Sequence, residues 1–532
     1  MPHHHTCQGP WLRGRSGICR FPHPGPLDSS ANTIQTIIMK HILTAAAAVM
    51  FLAACTNSAT DITVSIVPQP ESIEVKGGLK PCNTFVTSID ESLQPEAYTL
   101  VIKKGKATIK GGSDAGIFYG EQTLAQIRSQ FGGQAPDIRI SDAPEFAYRG
   151  MHLDCCRHFF SVDEVKEYID IMALHKFNTF HWHLTEDQGW RAEIKKYPRL
   201  TEVGSVRKET LVGHLGSSNK FDGTPYGGYY TQDEMREVVA YAAERHITVI
   251  PEIEMPGHAL GVLAAYPELG CTGGPYEVEG RWGVFPDILC AGNPKTLEFL
   301  KDVLDEICDI FPSEIIHIGG DEAPRDRWKA CPKCQAKMKE LGFTEEAQLQ
   351  SYINSEIEKY LATKGRRILG WDEILEGGVT KTAMVMSWRG PEGGKAAAKM
   401  GNEVVMTPNS YFYFDYFQTG DPEANGEGIG IGGYLNLERV YSFNPYEDLD
   451  EESKPYIKGI QANLWTEYLE SFDRVQERVM PRMAATAEIA WGQSRRTSYP
   501  EFVERVRKAL LPIYEENGYK YADYAFRDPA VD

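Results

Sequence analysis

The chain has 532 residues, 42% hydrophobic and 11% aromatic, enough for a large core and for more than one domain. Its formal charge of −19 comes from Asp and Glu spread along the chain, with no basic cluster to track a phosphate backbone. Nucleic acid is therefore not an expected partner. Nine Trp and 26 Tyr supply flat faces on which sugar rings stack, although core packing uses the same residues.

Residues 1–38 are rich in His, Pro, Gly and Arg and lack periodicity, which reads as a mis-called N-terminal extension. Met39-Lys40-His41 then opens a short basic end, an apolar run from Ile42 to Ala54, and Cys55. That run is too short to span a bilayer and reads as a targeting segment, residues 39–55. Leu52-Ala53-Ala54-Cys55 resembles the lipobox of bacterial lipoproteins, which makes Cys55 the lipidation site and the mature N-terminus; a plain secretory signal is the alternative. Thr56-Asn57-Ser58-Ala59-Thr60 carries no acidic run. The expectation is a lipoprotein of the outer membrane that faces the periplasm and touches the bilayer only through its anchor.

Residues 61–141 form a separate unit. β-rich runs at Ile62–Ile66, Tyr98–Ile102 and Lys106–Ile109 alternate with Gly-Gly and Pro turns, and a helical pattern runs from Ala115 to Phe131. The spacing predicts a small α/β domain with an antiparallel sheet, bounded by Asp142-Ala143-Pro144.

From residue 144 to about 500, strand-like runs alternate with amphipathic stretches. Strands are predicted near Gly150–Leu153, Thr179–Leu184, Thr248–Ile253, Ile315–Ile318, Arg367–Gly370, Ala383–Met386, Glu403–Met406 and Gly459–Leu464. Ser161 with Glu164 and Thr231 with Glu234 fit capping boxes, and Pro294 after Asn293 fits a first helical position. Eight strands with intervening helices predict an α/β fold, a (β/α)8 TIM barrel. Residues 501–532 read as a helical tail.

Of the 11 Cys, eight remain once Cys7, Cys19 and Cys55 are set aside. An oxidising periplasm allows pairs, and Cys271 and Cys290 bracket a Gly-rich loop that they could staple. Cys331-Pro332-Lys333-Cys334 has zinc-ribbon or redox spacing, but no second such pair exists in the sequence, so no metal is expected there. His181-Trp182-His183 also invites a metal reading, yet alternate residues of a strand simply share a face.

The chemistry gathers at the C-terminal strand ends, where barrels of this kind place their sites. The most informative run is His317-Ile318-Gly319-Gly320-Asp321-Glu322, in which two adjacent carboxylates follow a strand and a Gly-Gly turn. Neighbouring carboxylates repel, and repulsion favours keeping one of a pair protonated. Other strand ends lead to Asp154 and Arg157-His158, Glu186-Asp187, Glu254 with His258, Trp371-Asp372-Glu373, Trp388-Arg389, Tyr413 with Asp415, and Trp465 with Glu467. Each alone has a bland reading as core filler or surface ion pair. All eight ends furnished together describe a sugar pocket, with charged groups for hydroxyls and indoles for the ring face.

At this point the chain resembles glycoside hydrolase family 20, the β-N-acetylhexosaminidases. The matching segments are Arg149–Asp154 running into Arg157-His158-Phe159, His181–Gln188, Pro251–His258 and His317–Glu322, and the likeness extends from residue 61 to about 500. It implies an exo-acting, retaining, substrate-assisted hydrolase of terminal N-acetylglucosamine or N-acetylgalactosamine that needs no cofactor and no metal. The substrate's 2-acetamido oxygen is then the nucleophile, an exception to the usual enzymic one. By the same match Asp321 orients the acetamido group, Glu322 is the acid and base, and His258 with Glu186 forms the relay behind it. Arg157, Asp415 and Glu467 hold hydroxyls, Trp371, Trp388 and Trp465 wall the sugar, and Tyr413 donates to the acetamido oxygen. Glu186 and Glu254 depart from the Asp of many family members, which leaves the relay geometry open. A disaccharide-releasing or 6-sulfo-sugar-preferring relative is the alternative, and a non-catalytic glycan-binding lipoprotein a more distant one.

Overall fold

The computed structural model describes residues 62–526. The extension 1–38, the segment 39–55 with Cys55, and the last residues of the tail lie outside the described residues. Among the described residues no helix is long and apolar enough to cross a membrane.

The small domain is a five-stranded sheet in the order Ser72–Val75, Ile138–Asp142, Tyr98–Lys103, Lys106–Gly111, Thr84–Ile89. Its pairs are antiparallel except the last, where Thr84–Ile89 runs parallel to Lys106–Gly111. Lys104 and Gly105, both at positive φ, form the two-residue turn that matches strand twist and fixes the hairpin register Lys103↔Lys106. Alternation then sends Tyr98, Leu100, Ile102, Ala107 and Ile109 to one face, where they pack with Tyr119, Leu124 and Ile127 of the helix Asp114–Gln130. Ser113 caps that helix by accepting from the Ala115 amide.

The expected strand at Ile62–Ile66 does not form. Side-chain amides of the helix replace a ladder there: Gln126 exchanges hydrogen bonds with both backbone groups of Val67, at 2.9 and 2.6 Å, and Gln130 does the same with Ser65. Ile66 and Val67 are buried, but the backbone partners of Ser65 and Val67 come from side chains, which β propensity does not register.

Eight parallel strands close the barrel: β1 Tyr148–Asp154, β2 Thr179–His183, β3 Thr248–Glu252, β4 Ile315–His317, β5 Arg367–Trp371, β6 Met384–Ser387, β7 Val404–Met406 and β8 Ile457–Ala462. Every predicted barrel strand is present, and both capping boxes and the Asn293–Pro294 helix start form as read. One connection differs. Between β5 and β6 there is only a 3-10 turn, Asp372–Leu375, because Gly377 and Gly378 at positive φ end the segment before a helix can propagate. The tail helix begins slightly earlier than expected, Tyr499–Ala509, with a Ser498–Glu501 capping box, and is followed by Leu511–Asn517.

Asp142, at the expected boundary, is 1% exposed and heavily bonded. Its carboxylate accepts from the Tyr98 hydroxyl at 2.7 Å and the Trp491 indole at 2.9 Å, and pairs with Lys176 at 3.3 Å and Arg495 at 3.1 Å. These partners come from the small domain, the segment before β2, and the helix Arg482–Gly492 with the turn Gln493–Arg495 after it, so one buried charge joins three regions of the chain. Replacing Asp142 by Ala leaves Lys176 buried without its counter-ion, a loss of about 3–5 kcal/mol by comparison with broken buried pairs. Urea denaturation of the variant checks this.

Candidate active site

Backbone geometry brings the two adjacent carboxylates to the barrel mouth. Beyond β4, Gly319, Gly320 and Glu322 take φ of 63, 97 and 47°, all left-handed. A Cβ on Gly319 would lie 1.8 Å from Glu254 Oε2, so the turn passes where only glycine fits. Gln350 fixes it by donating to the Gly320 carbonyl at 2.5 Å. Glu322 and His258 (φ 48°) are non-glycine residues held in this sparsely populated region. They face each other across the site, a placement typical of functional strain.

The resulting pair is asymmetric. The Asp321 side chain is 12% exposed and that of Glu322 41%. His258 Nε2 faces both, at 3.5 Å from Asp321 Oδ2 and 3.6 Å from Glu322 Oε2. Its Nδ1 meets Glu186 Oε1 at 2.7 Å and Asp187 Oδ2 at 3.2 Å. Burial disfavours a charged ring, but Glu186, Asp321 and Asp187 outweigh it and hold His258 well above the usual imidazole range.

The chain of charges continues to Arg157, whose Nη2 lies 2.9 Å from Glu186 Oε2 and whose Nη1 lies 3.4 Å from Asp154. Gln188 accepts from Arg157 Nε at 3.1 Å, and the guanidinium sits over the Trp465 ring at 5.1 Å. Burial raises the proton affinity of Glu186, yet Arg157 and His258 reverse that and bring it down to about 2. Asp187 is pushed up to about 6, chiefly by burial, with the Glu186 charge adding to it.

Beneath this line lies Glu252, which accepts from Trp371 Nε1 at 2.7 Å and meets His317 Nδ1 at 2.9 Å and His181 Nε2 at 3.0 Å. His183 pairs through Nδ1 with Asp154 at 3.0 Å. His181 and His183 thus share the interior face of β2, while Trp182 between them packs outward on Tyr230 and Phe311. Glu254 is buried, and neither of its oxygens has a hydrogen-bond partner among the described residues. Burial and the charges of Asp321 and Glu252 raise its carboxyl well above the usual range.

An aromatic wall completes the site. Trp388 stacks on Tyr413 at 5.9 Å and 19°, Tyr413 meets Trp465 at 6.2 Å, and Trp465 meets Trp371 at 5.9 Å. Asp415, buried and under the negative charge of Glu467, is pushed up to about 8. Burial is also the main influence raising Glu467, opposed by Arg157. The structure therefore brings together all the predicted site residues that it describes; Cys55 lies outside them.

Sequence reasoning placed Glu373 at a strand end without giving it a role, and missed Glu252 and the share of Asp187 in the relay. Glu373 accepts from the Trp388 indole at 2.9 Å and is raised to about 8 by burial and by the charges of Asp321 and Asp372. Its signal was its place at the end of β5, which alone does not separate a site residue from a surface acid. Asp187 and Glu252 adjoin recognised residues, but only the fold shows which histidine nitrogen each one meets.

A parallel barrel with carboxylates, a buried guanidinium and indoles at its C-terminal end defines a carbohydrate-processing class of site. Residues 146–494 match the catalytic domain of glycosyl hydrolase family 20 and residues 27–143 match domain 2 of the same family. The chain belongs to glycosyl hydrolase family 20. It is 45% identical over 484 residues to a beta-hexosaminidase of Porphyromonas gingivalis, covering 86% of this chain but only 60% of that protein. A beta-hexosaminidase of Akkermansia muciniphila is 33% identical over 449 residues, covering 82% and 88% of the two chains. Among solved structures, a beta-N-acetylhexosaminidase matches with a TM-score of 0.80 at 30% identity, covering 88% of this chain and 99% of that one. An exo beta-N-acetylglucosaminidase of Vibrio harveyi in complex with N-acetylglucosamine matches with a TM-score of 0.76 at 30% identity, covering 87% and 80%.

The raised carboxyls carry a stability signature. Glu373 and Asp415 keep their protons in the folded protein up to about 8, whereas the unfolded chain releases them near the ordinary values of 4.5 and 3.8. Their contribution is complete below those ordinary values and is lost as pH rises through the folded ones. These two carboxyls therefore pull the stability of the ligand-free protein down between about pH 4 and 8. His158, His175 and His181, lowered to about 4 by burial, pull it up between about pH 4 and 6.5. Glu373→Gln flattens some of the downward slope; calorimetry across the range reads both.

Proposed function

We propose that the chain is an exo-acting, retaining β-N-acetylhexosaminidase that removes terminal N-acetylglucosamine or N-acetylgalactosamine from glycans. The observation that carries this reading is the unequal pair: Asp321 nearly buried, Glu322 open to solvent, and one imidazole within 3.6 Å of both. A retaining enzyme with its own nucleophile needs two carboxyls about 5–5.5 Å apart on either side of the bond. Sequence neighbours served by one histidine suit a different division of labour.

Glu322 protonates the departing glycosidic oxygen and later takes a proton from water; its exposure gives it access to both. Asp321 accepts from the acetamido N–H and stabilises the positive charge that develops as the acetamido oxygen closes on the anomeric carbon. His258, held protonated between Glu186 and Asp187 on one side and the pair on the other, positions both carboxylates. Tyr413 directs the acetamido oxygen from within the aromatic wall. Arg157 presents a planar fork suited to two neighbouring hydroxyls, a geometry lysine does not reproduce, with Asp415 and Glu467 beside it. The names of the relatives, beta-hexosaminidases, agree with this reading.

Glu322→Gln should lower kcat/KM by about 10²–10⁴-fold on a substrate with a poor leaving group and by far less on an activated aryl glycoside; equal losses on the two would remove Glu322 from the acid role. Digestion of defined N-glycan, mucin-type and chitin oligosaccharides should release single N-acetylhexosamines, and release of a disaccharide refutes the exo assignment.

The proposal includes the cell address. Leu52-Ala53-Ala54-Cys55 supports lipidation at Cys55 and an outer-membrane protein facing the periplasm. Mass spectrometry of the detergent-extracted protein should find a diacylglyceryl-modified N-terminal Cys55, and Cys55→Ala should move the enzyme to the soluble fraction.

A further inference from the structure

Four cysteines that the sequence keeps apart meet in one place. Cys271 and Cys290 lie on the long loop after β3, and Cys331 and Cys334 on the excursion after β4. The backbone bridge between Gly270 and Leu289, with Cys290 N donating to the Leu269 carbonyl at 2.8 Å, sets the first two side by side. The Cys-x-x-Cys turn at the start of the helix Pro332–Leu341 presents the other two. Gly292 locks the halves together: a Cβ there would lie 2.1 Å from the Lys333 carbonyl carbon and 2.4 Å from the Cys334 nitrogen, so only glycine permits this approach.

The four sulfurs all lie within 4.8 Å of one another, and all four residues are free thiols. Three separations are short: 3.8 Å for Cys271–Cys334, 3.7 Å for Cys290–Cys331 and 3.6 Å for Cys290–Cys334. Zinc bound to sulfur at about 2.3 Å in a tetrahedron requires sulfur–sulfur edges of about 3.8 Å. Cys290, Cys331 and Cys334 are buried and Cys271 is half-buried, as in a closed structural site. The helix Pro332–Leu341 begins at Cys331 with no side-chain cap, so two of the four cysteines sit in the partly positive first turn of a helix.

We propose that Cys271, Cys290, Cys331 and Cys334 bind one structural zinc ion. The reading that no metal sits here rested on the lack of a second Cys-x-x-Cys pair; the fold supplies that pair from positions 271 and 290. On binding, each Sγ–H bond breaks, the four protons go to solvent, and four Zn–S bonds form, with no oxidant or reductant involved. The ion ties together two loops that also carry the site: His258 precedes Cys271 on one, and Asp321-Glu322 precedes Cys331 on the other. Leu289 N donates to the Pro256 carbonyl at 3.0 Å, a direct link from the cysteine loop to the segment beside His258.

The test is metal analysis of the full-length protein purified with a reductant and zinc, then freed of loose metal by gel filtration. About one zinc per chain is expected, falling several-fold in Cys331→Ser and Cys334→Ser while Cys308→Ser keeps it. Cobalt reconstitution of the unmutated protein should give the thiolate-to-cobalt charge-transfer band and the visible bands of a tetrahedral site. Substoichiometric zinc with no cobalt spectrum overturns the proposal. So does protein isolated from the cell envelope in which alkylation and mass spectrometry find these four cysteines paired as disulfides.

Discussion

The site depends on alternation of charge in a place water barely reaches. From Arg157 through Glu186 to His258 and on to Asp321, positive and negative groups alternate. Buried charges are costly alone and tolerable only when paired, so no member can be neutralised without leaving its neighbours exposed to that cost. The strands β1, β2, β3 and β4 each contribute a member just past the strand end, and the register of a closed parallel barrel sets their spacing. Deeper in the barrel Glu252 has the same role, where His181, His317 and the Trp371 indole converge on a single carboxylate.

The alternation is incomplete: acids outnumber the cations available to face them. Glu254, Glu373 and Asp415 are the surplus, and burial together with neighbouring anions drives their proton affinities up. In the proposed reaction, positive charge grows on the acetamido group and the anomeric carbon. The negative potential that keeps those protons in place favours that charge more than it favours the neutral substrate, which is the differential that accelerates a reaction.

Much of this was legible in the sequence because the informative signals were local. Strand periodicity, capping residues and the Gly-Gly turn before Asp321 located eight strand ends, and the residues just past them proved to share one cavity. What was not legible depended on long-range partners. Ile62–Ile66 looks like a strand, but Gln126 and Gln130 satisfy its neighbourhood from a helix about 60 residues away. Glu373 reads as one more acid until Trp388 and Asp321 are seen against it. The cysteine quartet failed for the same reason: its spacing rule exists in space, not along the chain.

The residue that marks the domain boundary in the sequence is also the one that makes the boundary hard to cut. Asp142 holds Tyr98 on one side and Trp491, Lys176 and Arg495 on the other, and Arg149 at the start of the barrel reaches back to Glu96 at 2.7 Å. Severing the chain there would uncover a lysine, an arginine and an indole on the underside of the barrel. A minimal enzyme engineered by trimming the first domain would thus inherit an unpaired, sticky surface, and the smallest self-sufficient unit is the two domains together.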